Sequence, residues 1–238
     1  MHIVITAGPT REPIDDVRFL SNGSTGRMGF EVAAAASALG HQVTLVSGPS
    51  NEPAPQGVKV VRVTTAVEMR DAFMQAFALD GDACVMTAAV SDYRPATRVQ
   101  GKLKKGHDQI TLELVKNPDI LREAGIVAHG RPVVGFALEA LPDDQALAAA
   151  RGKLVDKSAT LIVLNKTSSL GSGDVRGVVL VTREEAVPRG DLSKSALARE
   201  LVRFIEQRAI RMGSGHGTSE RDNADIGQGR DPEGPERC

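Results

Sequence analysis

Short apolar runs rich in valine and isoleucine alternate along this chain with longer segments in which apolar residues recur at helical spacing. The apolar runs occupy residues 2–7, 42–47, 58–63, 83–90, 132–137 and 160–165. The helical segments occupy residues 28–39, 66–78, 117–124, 144–157 and 194–211. Strands that are apolar on both faces and alternate with helices form βαβ units. The pattern therefore predicts an α/β fold, a Rossmann-like parallel sheet with helices on both faces.

Two other segments differ from this alternation. Residues 109–115 and 177–182 alternate apolar and polar side chains, as strands with one exposed face do, and they predict a small antiparallel strand extension. Residues 213–238 are rich in glycine and charged residues and nearly lack large aliphatic ones. We therefore expect a disordered C-terminal tail at 213–238 behind a domain at 1–212.

Composition excludes several classes of partner. The 29 basic and 30 acidic residues nearly cancel, so no overall field draws the protein to nucleic acid or to a membrane. Aromatic residues are scarce, with six phenylalanines, one tyrosine and no tryptophan. This argues against a protein that binds single-stranded nucleic acid by stacking bases on aromatic side chains. The N-terminus lacks the pattern of a signal peptide, and the two cysteines, Cys84 and Cys238, suit a reducing compartment. We expect a cytoplasmic protein.

A glycine-rich stretch, "SNGSTGRMG" at residues 21–29, runs directly into the first long helical segment. Gly23, Gly26 and Gly29 are spaced three apart, and about fourteen residues separate Gly23 from Gly8, so this is not the dinucleotide motif GxGxxG. Free amide groups at a helix N-terminus favour anions, which predicts a phosphate site here. An ordinary capped helix with glycines for tight packing is the alternative.

Several long motifs occur in an order that resembles one enzyme family. They are "ITAGPTREPIDDVRFLSNGSTGRMGF", "TAAVSDYRP", "GKLKK", "LELVKNPDIL" and "VVGFALE", between residues 2 and 182. Together they resemble phosphopantothenoylcysteine synthetase, the phosphopantothenate–cysteine ligase of coenzyme A biosynthesis. The resemblance implies that CTP and Mg²⁺ activate 4'-phosphopantothenate as an acyl-cytidylate with loss of pyrophosphate. Cysteine then displaces CMP, and no flavin is needed in this chain.

The resemblance also implies the site residues. Asn22 would hold the acyl-nucleotide and Lys102 would contact its phosphates, both as catalytic residues. The substrate-binding residues would be Arg18, Ser21, Asn22, Ser24, Gly26, Arg27, Ala88 and Ala89. The nucleotide-binding residues would be Gly8, Asp92, Lys102, Pro118, Asp119, Ile120, Leu121, Phe136, Lys153 and Lys157.

Structural roles remain open for many of these residues on the sequence alone. Asn22 suits a helix N-cap, Asp92 a turn or a cap, Phe136 a core position and Lys102 a solvated face. Pro118 suits the first position of the helix at 117–124. The sequence departs from the family pattern at three places. Ser91 replaces the usual alanine, and "STGRMG" replaces "SSGKMG". Three extra residues around "ALPDD" precede Lys153 and Lys157.

Two other functions are compatible with the fold. An NADP-dependent reductase would use Ser47 at the end of the second strand to hold a 2'-phosphate, and a nucleotide-binding module would lack turnover. The five histidines are scattered, so we expect no metal site of fixed ligands. The resemblance implies a homodimer formed through strands near 109–115 and 177–182. Because the chain begins at the synthetase motif, we expect any phosphopantothenoylcysteine decarboxylase to be a separate partner.

Overall fold

The computed structural model describes residues 1–104, 106, 109–169 and 173–214, without the side chains of the last three. Its strands are β1 (His2–Ala7), β2 (Arg11–Pro13), β3 (Phe19–Ser21), β4 (Gln42–Ser47), β5 (Lys59–Arg62), β6 (Ala83–Met86), β7 (Tyr93–Pro95), β8 (Leu114–Lys116), β9 (Val133–Glu139), β10 (Leu161–Lys166), β11 (Asp174–Val181) and β12 (Ala186–Ser193). Its α-helices are α1 (Arg27–Ala38), α2 (Ala66–Asp80), α3 (Ile120–Val127), α4 (Asp143–Asp156) and α5 (Lys194–Ser214).

Eight strands form one sheet in the order β12-β11-β10-β9-β6-β1-β4-β5. The six strands from β10 to β5 run parallel, whereas β11 pairs antiparallel with both β10 and β12. The predicted Rossmann-like parallel sheet with an antiparallel extension is therefore confirmed. The connections reverse direction beside β1, and an open α/β sheet binds ligands outside the carboxyl ends of its strands at such a point.

Helices cover both faces of the sheet because its central strands are apolar on both sides. Ile3 and Ile5 of β1 pack in the core layer with α1 and α5, which also contact each other. Val4 points to the opposite layer, where α2, α3 and α4 pack. These alternating side chains are fully buried, as the period-2 geometry of a strand between two helical layers requires.

Three predicted boundaries were wrong. The strand predicted at 83–90 ends at Met86, and Ala89 pairs with Pro9 only through an isolated bridge. The strand predicted at 109–115 is reduced to β8, because its partner β7 has only three residues. The helix predicted at 117–124 begins at Ile120, so Pro118 lies in the turn before it and not at its first position.

Other elements were not predicted. They are the antiparallel hairpin of β2 and β3, the short strand β7 and the edge strand β12. Helix α5 continues to Ser214, two residues into the predicted tail, and residues 215–238 lie outside the described part of the chain. Among the described residues, no helix has the length and apolar character needed to cross a membrane.

Candidate active site

A cavity of about 540 Å³ is lined by the end of β6, the middle of β9, the first turn of α3 and the C-terminal end of α4. It collects most of the nucleotide-binding residues that the motifs imply, from four separate parts of the sequence. Those residues are Asp92, Pro118, Asp119, Ile120, Leu121, Phe136, Lys153 and Lys157. Gly8 and Lys102 do not line this cavity.

The turn before α3 forms one wall of this first cavity. The Asn117 side chain donates to the Ser91 carbonyl oxygen at 2.8 Å, and its backbone N–H donates to the Asp92 carbonyl at 2.8 Å. Asp119 then caps α3 by accepting from the Arg122 backbone N–H at 3.0 Å. These contacts hold residues 117–119 in a turn, which explains why the helix begins later than Pro118 suggests.

Two lysines enter the first cavity from the C-terminal end of α4: Lys153 in its last turn and Lys157 at its C-cap. Lys153 Nζ donates to the Phe136 carbonyl oxygen at 2.7 Å, and burial lowers the pKa of this lysine. Lys157 Nζ lies 2.8 Å from Asp119 Oδ2 and also contacts Asp156, and these hydrogen bonds raise its pKa. Both lysines line the same cavity as Phe136 and Asp119, and their contact with a nucleotide stays a prediction.

A second cavity of about 320 Å³ lies at the N-terminus of α1. Ser24, Gly26 and Arg27 line it on one side, and Ala88 and Ala89 on the other. All five were implied as substrate-binding residues, so the glycine-rich stretch and the "TAAVSDYRP" motif meet in space.

Glycine geometry makes this second cavity possible. Gly26 caps α1 with φ +85°, a conformation that favours glycine. A side chain at Gly26 would also meet the backbone of Gly8, since an added Cβ would lie 3.0 Å from the Gly8 Cα. Gly8 therefore supports the α1 N-terminus from behind and does not line the cavity itself.

The two cavities have a common wall formed by Ala88, Phe136 and Lys153. A ligand group in either cavity would thus lie against the same three residues. Phe136 is half-buried at this wall, so its predicted alternative as a simple core residue is only partly correct. The arrangement suits two substrates that must react with each other.

Asn22 and Ser21 lie on the rim, just outside both cavities. The Asn22 side chain donates to the Ala89 carbonyl oxygen at 3.0 Å, so it fixes the rim and does not cap α1. Its amide retains a second N–H and its own carbonyl oxygen for a ligand. Ser21 Oγ donates to the Thr10 carbonyl oxygen at 2.7 Å and holds the hairpin of β2 and β3 in place.

Arg18 and Lys102 lie on exposed loops that a buried carboxylate ties together. Asp15 accepts from the Leu103 backbone N–H at 3.0 Å and pairs with the Arg18 guanidinium, which in turn donates to the Leu103 carbonyl at 2.9 Å. The Arg18 contact is the main reason that the pKa of Asp15 lies far below its usual value. Asp16 accepts from the Gly101 N–H at 2.8 Å in the same way.

The structure therefore holds the Lys102 loop against the hairpin that carries Asn22, although Lys102 itself remains exposed and outside both cavities. Its neighbour Lys105 lies outside the described residues. Asp92 is exposed in a bend at the mouth of the first cavity, and it is not a helix cap.

Two residues of the second cavity were missed by the motifs. Asn165, at the end of β10, is only 8% exposed, and its amide oxygen is buried without a hydrogen-bond partner among the described residues. Lys194 is the first residue of α5 and is also only 8% exposed. A polar residue ending a buried parallel strand was a usable signal for Asn165, whereas nothing local marked Lys194.

The site does not suit the reductase alternative. Ser47 is fully buried, and its hydroxyl donates to the Gly48 carbonyl at 2.8 Å, so it does not face a ligand at the strand end. Across the described residues, no group of three or more His, Cys, Asp or Glu side chains is placed to hold a metal ion.

Comparisons with known proteins show the family to which the chain belongs. The model of the DNA/pantothenate metabolism flavoprotein C-terminal domain matches residues 1–209. The coenzyme A biosynthesis bifunctional protein CoaBC of Vibrio vulnificus is 43% identical over 212 residues, which are 86% of this chain and 51% of that protein. The chain thus spans about half the length of this curated relative.

Solved structures extend the likeness. The crystal structure of the C-terminal domain of CoaBC is 34% identical with a TM-score of 0.72, covering 90% of this chain and 96% of that one. A Cab2 mutant in complex with phosphopantothenate-cysteine shares the fold at 17% identity and a TM-score of 0.72, covering 91% of this chain and 89% of that one. By its matched family model and by the likeness to a solved domain, the chain belongs to the family of DNA/pantothenate metabolism flavoprotein C-terminal domains.

Proposed function

We propose that this protein joins 4'-phosphopantothenate to L-cysteine in coenzyme A biosynthesis, using CTP through an acyl-cytidylate. The observation that carries the proposal is the common wall of the two cavities at Ala88, Phe136 and Lys153. A ligase of this kind must bring a carboxylate to a nucleotide phosphate, and each cavity supplies cationic groups for one partner. The names of the family relatives support the same pathway.

The first cavity is proposed as the CTP site. Asp119, Ile120 and Leu121 would contact the nucleotide at the N-terminus of α3, and Phe136 would pack against the base. Lys153 and Lys157 would neutralise the phosphates. The partial burial of Lys153 strengthens its electrostatic effect on charge that develops in the transition state.

In the first step, a carboxylate oxygen of phosphopantothenate attacks the α-phosphorus of CTP, and the bond to pyrophosphate breaks. Both reactants are anions, so the site must lower their repulsion and align them. Lys153 lies at the boundary between the cavities and is the residue best placed to do so. We expect Lys102 to meet the outer phosphates from the loop that Asp15 and Asp16 hold.

The residues at the first cavity fit an Mg²⁺ ion carried by the nucleotide. Mg²⁺ is commonly held by one or two carboxylates together with substrate phosphates, and Asp92 and Asp119 line this cavity. Asp119 is engaged with Lys157, so Asp92 is the better candidate ligand. When bound, Mg²⁺ would neutralise phosphate charge.

In the second step, the cysteine amine attacks the acyl carbon, CMP leaves, and the amine proton passes to solvent. Asn22 is proposed to orient the acyl carbonyl, because its amide is held 3.0 Å from the Ala89 carbonyl at the cavity rim. A fixed amide donor stabilises the oxyanion of the tetrahedral intermediate. Arg18, Ser21, Ser24, Gly26, Arg27, Ala88 and Ala89 are proposed to hold the rest of the phosphopantothenoyl group.

We also propose a homodimer, and the pairing of the strands supports one of its two predicted contact segments. Strand β11, which covers most of the predicted segment 177–182, is paired on both sides by β10 and β12. The small sheet of β7 and β8 instead exposes Tyr93 and Leu114, which its pairing register places on one face. We propose this face as the contact, which sedimentation of a Leu114→Asp variant would test.

A cytoplasmic location and a separate decarboxylase partner stay predictions.

The experiment is pyrophosphate release with 4'-phosphopantothenate and Mg²⁺, comparing CTP with ATP, with and without cysteine. Cysteine-dependent turnover that prefers CTP is the expected result. A preference for ATP would contradict the CTP assignment of the first cavity. Nucleotide binding without pyrophosphate release, in folded protein, would contradict the ligase and favour a binding module.

A further inference from the structure

The first residue of α5 has an unusual environment for a lysine. Lys194 lies at a helix N-terminus, where the helix dipole disfavours a cation, and it is only 8% exposed. Burial lowers the pKa of Lys194, and the positive charge of Arg27 acts in the same direction. The carboxylates of Asp174, Glu52 and Glu31 act in the opposite direction, but none of the three lines the second cavity.

The second cavity collects positive charge from three helices. Arg27 is the first residue of α1, Lys194 is the first residue of α5, and Lys153 enters from α4. Neither α1 nor α5 has an acidic residue in its first turn, and no carboxylate is among the described residues of the cavity wall. Two helix N-termini and three cationic side chains thus face one space.

A polar group of the same wall also lacks a partner. The Asn165 amide oxygen is buried and accepts no hydrogen bond from the described residues, although the side chain lines the cavity. A buried polar group without a partner is costly unless a ligand or a water satisfies it. This observation is independent of the charges. Because an amide oxygen only accepts hydrogen bonds, it indicates a ligand that brings an N–H or O–H group to this wall in addition to any phosphate.

We propose that Lys194 is a phosphate-binding residue that acts with Arg27 and the N-terminal amides of α1. The ligand class is a phosphate ester or a diphosphate, since a multiply charged oxyanion matches two helix N-termini and three cationic side chains around one cavity. The inference rests on the proposed function, in which both the acid substrate and the nucleotide carry such a group. It deepens that function by adding a binding residue that lies beyond the sequence motifs.

The test compares Lys194→Met, which keeps the apolar stem without the charge, with Lys194→Arg, which keeps the charge. Arg199→Met is the matched control, because Arg199 is exposed on the same helix and lines neither substrate cavity. Calorimetric titrations use inorganic pyrophosphate, CTP, 4'-phosphopantothenate and pantothenate. We expect Lys194→Met to lower the affinity for a phosphate-bearing ligand on the order of 10- to 100-fold. Pantothenate binding and the control should not change, and Lys194→Arg should recover part of the loss.

The pattern of losses identifies the source of the phosphate. A loss confined to 4'-phosphopantothenate assigns Lys194 to the acid substrate, and a loss for CTP and pyrophosphate assigns it to the nucleotide. Wild-type affinities of Lys194→Met for all three phosphate ligands would overturn the proposal. If Lys194→Met does not fold, ¹³C-methylated lysines in the wild-type chain provide the readout. The Lys194 resonance, assigned with Lys194→Arg, must then shift when pyrophosphate is added, and an unmoved resonance would overturn the proposal.

Failure of the inference is distinguishable from failure of the proposed function. If the wild-type protein is an active ligase and Lys194→Met binds and reacts normally, the ligase function stands and the proposed role of Lys194 is wrong. If the wild-type protein binds pyrophosphate through Lys194 but releases no pyrophosphate from CTP, the phosphate-binding role of Lys194 stands and the ligase function is wrong.

Discussion

Gly29 in α1 determines how closely the helix that lines the second cavity packs on the sheet. A Cβ added at Gly29 would lie 2.5 Å from the Ala7 Cβ and 2.5 Å from the Thr87 Oγ1. Neither atom can move easily, because Ala7 belongs to β1 and the Thr87 hydroxyl donates to the Thr6 carbonyl at 2.7 Å. Gly29→Ala therefore forces α1 away from the strand ends.

The magnitude follows from two opposing effects. Helix propensity favours alanine over glycine by about 1 kcal/mol. Overpacking costs about 1–3 kcal/mol, and two contacts this short place Gly29 near the upper end. The net loss is about 1–2 kcal/mol. At roughly 2–4 °C per kcal/mol for a protein of this size, Tm should fall by about 2–8 °C.

Gly152→Ala is the matched control on α4, since an added Cβ there meets nothing within 4 Å. Only the propensity term applies, so Tm should rise by about 2–4 °C. Differential scanning calorimetry of the two variants gives shifts of opposite sign. A Gly29→Ala variant as stable as Gly152→Ala would refute the close approach of α1 to the sheet. Because α1 carries the second cavity, we also expect Gly29→Ala to weaken pyrophosphate binding.

Four further variants separate function from stability. Lys153→Met should lower kcat on the order of 10- to 100-fold through a lost charged contact, with Tm nearly unchanged because burial already penalises its charge; a normal kcat in the ligase assay would contradict its role. Arg131→Met should cost about 2–4 kcal/mol, because its guanidinium donates to four backbone carbonyls that end α2 and α3. Arg122→Met, which removes the exposed ion pair with Asp156, should lower the free energy of unfolding by under about 1 kcal/mol. Equal urea midpoints for the Arg131 and Arg122 variants would contradict this difference. The depressed pKa of Asp15 stabilises the fold above the unfolded value of 3.8, and that stability is lost as pH falls toward the lower native pKa. Asp15→Asn should therefore be less stable at pH 7 and show a shallower loss of stability below about pH 4, and parallel acid-unfolding curves would contradict this.

The central sheet could be predicted from the sequence because its strands are apolar on both faces. Strand β12 could not, since it lies at the sheet edge, contains Pro188 and is mostly exposed. An edge strand needs only one partner and tolerates proline, so it carries no apolar signature. The start of α3 was misplaced because the Asn117 side chain, which bonds across to Ser91, overrides the local helix signal of Pro118.

Most of the candidate site could also be predicted, since its residues lie in a few continuous motifs. The motifs could not indicate that Arg18 binds Asp15 and the loop of Lys102, because that contact joins segments about 85 residues apart. The motifs could not indicate Lys194 either, because its surroundings also come from distant segments. Its proposed role depends on the packing of α5 beside α1, which brings two helix N-termini together.

In the proposed reaction, a carboxylate in the second cavity attacks the nucleotide in the first cavity. The most direct measurement uses 4'-phosphopantothenate labelled with ¹⁸O in its carboxylate, with CTP, Mg²⁺ and cysteine, and mass spectrometry of the nucleotide product. Formation and breakdown of an acyl-cytidylate must transfer one ¹⁸O from the carboxylate to CMP. Product formed with unlabelled CMP, or with the label in orthophosphate, would contradict the account.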